Sequence, residues 1–210
     1  MKTKIYIVRH TQTIGNIEHR LTGRCDYEIT NQGIDYIEIL TNSLKNVKFD
    51  VAYSSTSKRT SKTIEKLTEI NKIPIIELDD LCEMYFGIYD GMKWEDVNKI
   101  NPQIKERQNQ INIIDGIPEQ EVTNDVALRM KKVITKIAKE NLGKTVLICS
   151  HGVAIEAFLR TVSKVPFTDL REEYSQKNTS INIVEYESEL EEFKIIKLND
   201  RTHLNDIYVK

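Results

Sequence analysis

Apolar positions along this chain follow two periods, and the alternation between them predicts its elements. The run Ile5-Tyr6-Ile7-Val8 is short, apolar and rich in β-formers, so it predicts a buried strand. Thr30-Asn31-Gln32-Gly33 then opens a helix whose apolar positions Ile34, Ile37, Thr41 and Leu44 keep helical spacing. Asp50 to Ser54 predicts a second strand, and Ser57 an N-cap for a helix with Thr60, Ile64 and Leu67 on one face. Pro74-Ile75-Ile76 predicts a short strand, and a helix is expected around Trp94 to Val97. From Thr123 an amphipathic helix lines up Val126, Met130, Val133, Ile134 and Ile137. Thr145 to Cys149 predicts the clearest buried strand, followed by a helix from Val153 to Thr161. Ser180 to Tyr186 and Phe193 to Leu198 predict two strands joined by an acidic turn. Strands alternating with helices imply an α/β fold with a mostly parallel sheet covered on both faces.

One stretch breaks the pattern. Asn101 to Gln120 is polar and weakly periodic, with Pro102 and Pro118 as breakers. It reads as part of a cap or lid, about residues 85–122, because Ile111, Ile113 and Ile114 would need cover. The 210 residues otherwise suit a single domain, 1–210.

Charge and cysteine content narrow the functional classes. Thirty basic residues against 32 acidic ones give a net charge of −2, without the basic excess of a nucleic-acid binder. Cys25, Cys82 and Cys149 are odd in number and widely spaced, which fits a reducing compartment. No apolar run reaches the ~18 residues of a membrane span, and the N-terminus lacks a signal-peptide core. A soluble cytoplasmic protein with no nucleic-acid or membrane partner is expected. No His, Cys or carboxylate cluster has metal-ligand spacing, so neither metal nor cofactor is expected. Gly143-Lys144-Thr145 is not a phosphate loop, since it precedes a strand and Ala138 occupies the required first glycine. His19 and His203 read as surface residues.

Candidate chemistry sits where strands end. Val8 runs into Arg9-His10, Tyr53-Ser54-Ser55 leads to Arg59, and Cys149-Ser150 runs into His151. In a parallel sheet such ends share one rim, where ligands of open α/β folds bind. Arg59 falls in the first turn of its helix, a position that favours anions, and Gly152 lets the backbone approach closely beside His151. Two arginines and two histidines so placed suit a dianionic phosphoryl group, whose equatorial oxygens guanidinium forks can hold. A neutral imidazole can attack phosphorus and carry the group covalently. Glu83, in a glycine-flanked loop, is the best-placed acid for the leaving oxygen.

The blocks RHTQTIGN, LTGRCDYEITNQG, YSSTSKRTSKT, LCEMYFGIYDG and CSHG, in that order, resemble the histidine phosphatase superfamily, the phosphoglycerate-mutase-like fold. The resemblance spans residue 4 to about 187. It implies a three-layer α/β/α sandwich and metal-independent phosphoryl transfer. His10 is similar to the phosphorylated nucleophile, Arg9, Arg59 and His151 to the phosphate pocket, and Glu83 to the proton donor. Asn16 corresponds to a pocket asparagine, Thr22-Gly23 to a loop near the substrate. Thr11 replaces the glycine that usually follows the nucleophile, and Ile117 to Glu121 stands where many relatives carry Gly-Gly-Glu-Ser. Tyr85 replaces a frequent aspartate. The block around Glu83 is most similar to the small bacterial phosphatases, including α-ribazole phosphate phosphatases. The mutases' longer insert with paired arginines is missing; Lys105, Glu106 and Arg107 are a poor substitute. The resemblance therefore implies a phosphomonoesterase for a small phosphorylated metabolite, ahead of a bisphosphoglycerate-dependent mutase or a non-catalytic phospho-ligand binder. Tyr85, Tyr89 and Trp94 are expected either to line the substrate mouth or to pack the lid.

Overall fold

The computed structural model describes residues 1–111 and 115–207. Six strands, β1 (Lys2–Arg9), β2 (Val51–Ser54), β3 (Ile75–Glu77), β4 (Thr145–Ser150), β5 (Ile181–Glu187) and β6 (Glu192–Asp200), form one sheet in the order β3-β2-β4-β1-β5-β6. β1 to β4 run parallel, and β5 and β6 add an antiparallel edge. The helices are α1 (Ile14–Ile17), α2 (Asn31–Leu44), α3 (Lys58–Asn71), α4 (Trp94–Ile100), α5 (Pro102–Ile111), α6 (Thr123–Glu140) and α7 (Gly152–Ser163). The expected α/β/α sandwich is what forms.

Strand alternation builds its two cores. Tyr6, Val8, Ala52, Leu147 and Cys149 point to the face covered by α2 and α3, where Leu40, Leu44, Ile64 and Leu67 are buried. Ile5, Ile7, Tyr53, Val146 and Ile148 point the other way, under Met130, Ile134, Ile137 of α6 and Ile155, Phe158 of α7. A period of two sends neighbouring residues to opposite layers, so each central strand needs an apolar residue at every position.

The sheet register positions the site. Val8 lies opposite Cys149, and Cys149 opposite Ser54. The three strands therefore end abreast, and the residues that follow them leave from one rim.

Several expectations change in detail. Ile34 is 51% exposed, because the buried stripe of α2 runs through Gly33, Tyr36, Ile37, Leu40, Thr41 and Leu44 and leaves Ile34 at its edge. Ser57 occupies the N-cap of α3, but its hydroxyl does not cap. Asp26 does so from a distant loop, its Oδ2 accepting from Lys58 N at 2.7 Å. Pro102 does not break a helix; it begins α5, where a missing N–H costs nothing. The cover expected for Ile111, Ile113 and Ile114 lies outside the described residues and side chains. His203 is half-buried, while His19 is exposed as expected.

The segment between Glu83 and α6 leaves and returns through a narrow neck. Glu121 N donates to Tyr85 O at 3.0 Å and Ile88 N to Pro118 O at 3.2 Å. Gly87 has φ +57°, and a Cβ there would overlap the Pro118 carbonyl oxygen, so this position needs glycine on two counts.

Candidate active site

His10 and His151 meet at the rim, with ring centroids 5.2 Å apart. His10, 3% exposed, is oriented by the residue after it: Nδ1 lies 2.7 Å from the Thr11 carbonyl oxygen. A carbonyl only accepts, so Nδ1 carries the proton and the Nε2 lone pair is left for chemistry. Burial and the charges of Arg59 and Arg9 hold the His10 imidazole well below its ordinary pKa of 6.5. It is a neutral base at physiological pH.

Thr11 fits without strain in place of the usual glycine. Its N–H donates to Thr63 Oγ1 at 3.0 Å and its hydroxyl to Gly33 O at 2.7 Å. The carbonyl that orients His10 is thus tied to α2 and α3.

His151 is fixed from both sides. Arg59 Nη2 donates to its Nδ1 at 3.0 Å, which leaves the proton on Nε2, donated to Ser55 Oγ at 2.7 Å. Burial and the charge of Arg59 push its pKa well below 6.5 as well. Two buried, neutral histidines make stability depend on pH. Below about pH 6.5 the unfolded chain binds two protons that the native state excludes, so stability falls as pH falls. Each histidine contributes up to about 1.4 kcal/mol per pH unit. The urea midpoint is expected to drop between pH 7 and pH 5, and His151→Asn to shallow that slope. A midpoint unchanged across this interval would contradict neutral burial.

Arg9 and Arg59 bring the positive charge. Arg9 Nη1 donates to Gln176 O at 2.6 Å, and its guanidinium would lie 3.4 Å from a Cβ at Gly152, an ordinary van der Waals contact, so Arg9 packs over this glycine without requiring it. Burial, opposed by Glu83, lowers the Arg9 pKa from its ordinary value. Arg59 donates to the carbonyls of Gly23 (2.9 Å) and Cys25 (2.8 Å) and to Asp26 Oδ1 (2.7 Å). In both guanidiniums Nε is buried without an acceptor. Buried donors of this kind mark where an anion would be held.

Glu83, 6% exposed, closes the site from the opposite side. Its Oε2 accepts from Val153 N at 3.1 Å, and Oε1 from Ala154 N at 2.9 Å and Met84 N at 3.0 Å. Two of these donors are free N–H groups of the first turn of α7, so Glu83 serves as that helix's cap from another element.

These groups surround a cavity of about 240 Å³. Arg9, His10, Asn16, Thr22, Glu83 and Gly152 all line it. Arg59, His151 and Gly23 do not. Arg59 and His151 lie one layer deeper, engaged with each other, and the Gly23 N–H is spent on Asp90 Oδ1 at 2.7 Å. Asn16 Oδ1 accepts from Thr13 N at 3.0 Å and from Asn178 Nδ2 at 3.1 Å. Arg20, Phe86, Trp94, Glu156 and Phe167 line the cavity as well. Trp94 thus lines the mouth, whereas Tyr89 is buried in the core and Tyr85 is half-buried at the neck.

Sequence reasoning missed Gln176 and Asn178. Asn178 Nδ2 donates to the carbonyls of His10 (3.0 Å) and Thr11 (3.1 Å), and the Gln176 carbonyl holds Arg9. The available signal was the polar run Gln176 to Ser180 just before β5, whose first residue pairs with Val8. No group of three or more His, Cys, Asp or Glu among the described residues could hold a metal ion.

The profile of the histidine phosphatase superfamily (branch 1) matches residues 5–201, and the chain belongs to that family. It is a phosphatase-type enzyme of the phosphoglycerate-mutase-like fold. The chain is 29% identical over 161 residues to the uncharacterized phosphatase PhoE of Bacillus subtilis, covering 77% of this chain and 78% of that one. It is 26% identical over 211 residues to phosphoserine phosphatase 1 of Hydrogenobacter thermophilus, covering 99% and 97%. Bacillus stearothermophilus YhfR superposes with a TM-score of 0.90 at 26% identity, covering 97% of this chain and all of that one.

Proposed function

We propose that the protein is a phosphomonoesterase for a small phosphorylated metabolite, working through a phosphohistidine on His10. The observation that carries this reading is the tautomer of His10, whose Nδ1–H is committed to Thr11 and whose Nε2 lone pair shares a cavity with Arg9 and Glu83. In the first half-reaction a P–N bond forms at Nε2 as the bond to the ester oxygen breaks. Glu83 gives that oxygen its proton. Water then attacks phosphorus, returns a proton to Glu83, and His10 leaves neutral. Arg9 stabilises the transferring group from the cavity wall, with Asn16 and Gly152 beside it. Arg59 acts from the layer behind through its charge, and His151 through an Nε2–H that can turn from Ser55 toward a phosphoryl oxygen. Thr22 and the neighbouring Gly23 shape the loop on the substrate side.

Residues 1–210 act in this reading as a single domain, with 85–122 as the lid that carries specificity. Free Cys25, Cys82 and Cys149 support a cytoplasmic setting, and no described helix is long and apolar enough to cross a membrane. Hydrolysis is favoured over mutase chemistry by the rest of the cavity lining. Among the described residues Arg20 is its one cation, already paired with Glu18, and Glu156 is paired with Arg160 of the same helix, while Lys105 and Glu106 are exposed on α5 and do not line the cavity. A second phosphate would meet little to hold it. Incubation with 3-phosphoglycerate in a coupled assay is expected to yield inorganic phosphate without 2-phosphoglycerate; accumulation of the 2-isomer would establish the mutase instead.

A further inference from the structure

Arg129 of α6 lies outside the cavity, yet each of its three nitrogens bonds a group that flanks the Glu83 segment. Nη1 donates to the carbonyls of Asp80 (2.8 Å) and Cys82 (3.0 Å), on the N-terminal side of Glu83. Nε and Nη2 form a two-pronged ion pair with Glu121, each prong 2.8 Å. Glu121 in turn holds Tyr85, on the C-terminal side: its Oε2 accepts from Tyr85 N at 3.4 Å and its N–H donates to Tyr85 O at 3.0 Å. The Arg129 and Glu121 side chains are only 15% and 20% exposed. A fork in this position fixes orientation as well as charge, which a lysine ammonium cannot do.

We infer that Arg129 is a positioning residue for the proton donor, clamping the backbone on both sides of Glu83 and joining it to the neck of the lid. The carboxylate is held by the N-terminus of α7, and the chain that carries it is held by Arg129, with Ser150 Oγ donating to Leu81 O at 2.7 Å. Without the fork, the carbonyls at 80 and 82 lose their donor and the neck loses its cation. Glu83 then drifts relative to the ester oxygen. Misplacement on the order of 1 Å can cost about 100-fold in a step that depends on orientation. Only the proton transfers made by Glu83 should suffer, because His10 and Arg9 are positioned by β1, Thr11 and Gln176.

This inference rests on the role of Glu83 proposed above, so both are tested in one series. The kcat/KM for p-nitrophenyl, phenyl and alkyl phosphates, which reports formation of the phosphoenzyme and not the breakdown common to all esters, is compared for Arg129→Ala, Arg129→Lys, Glu121→Gln and Glu83→Gln. Arg129→Ala is expected to lose about 10- to 100-fold on the alkyl ester and less than about 3-fold on p-nitrophenyl phosphate. Arg129→Lys should fall between it and the parent protein. Losses of one size across all esters, or no loss, would overturn the positioning role while Glu83→Gln still shows the graded pattern. If Glu83→Gln is itself flat, the acid assignment fails first. Should Arg129→Ala not fold, Glu121→Gln decides, since it weakens the clamp with almost no change of shape: a graded loss supports the role and a uniform one removes it.

Discussion

Replacing His10 by alanine is expected to abolish turnover of every phosphomonoester, a loss of at least about 10⁴-fold in kcat, the scale seen when an enzyme loses its nucleophile. The reason is positional as well as chemical. Among the imidazole nitrogens near the cavity, His10 Nε2 is the one whose lone pair is free, since His151 has Nδ1 occupied by Arg59 and Nε2–H given to Ser55. His151 therefore cannot substitute for it. The same variant keeps Arg9 and Arg59, so inorganic phosphate should still bind and inhibit with an affinity within about tenfold of the parent protein. Measured together, kcat and the phosphate inhibition constant separate loss of the nucleophile from collapse of the pocket.

The second large effect falls on Glu83. Glu83→Gln is expected to lower kcat/KM for alkyl phosphates by about 10²- to 10⁴-fold, the usual contribution of a general acid, and for p-nitrophenyl phosphate by no more than about tenfold. A nitrophenolate leaves without help, whereas an alkoxide must be protonated as it departs. The amide also carries a structural cost that must be controlled. Its oxygen can still serve two N–H donors, but its NH₂ then faces a third N–H that the carboxylate had accepted. One lost hydrogen bond costs about 1 kcal/mol, so the urea midpoint should be measured beside the rates. Equal losses for both esters at unchanged stability would argue against proton donation.

The central sheet was legible because parallel strands covered on both faces write themselves as unbroken apolar runs. Ile5 to Val8 and Thr145 to Cys149 needed no further information. Convergence of Arg9-His10 with His151 followed from one topological rule, and the register of Val8, Cys149 and Ser54 obeys it. Other features depend on contacts between distant residues and leave no local trace. The cap of α3 comes from Asp26, a loop residue 32 positions before Lys58, and the cap of α7 comes from Glu83. Gln176 and Asn178 enter the site only because β5 pairs antiparallel with β1, which a residue pattern cannot specify. The same holds for Arg59 and His151. Their positions near the rim were readable, but their engagement with each other, behind the cavity wall, depends on side-chain hydrogen bonds. The neck at Tyr85 and Glu121 shows this most clearly: the 117–121 stretch departs from the family pattern in sequence, yet Glu121 still finds Arg129.

The most direct measurement is the covalent intermediate itself. Protein mixed with a rapidly leaving phosphoester, quenched in alkali within milliseconds and digested, should yield one phosphorylated peptide containing His10, stable to base and lost in acid. Its amount should rise in Glu83→Gln if that change slows breakdown more than formation, and vanish in His10→Ala. Steady turnover of the ester with no phosphate ever found on His10, or with the label on His151, would contradict the account.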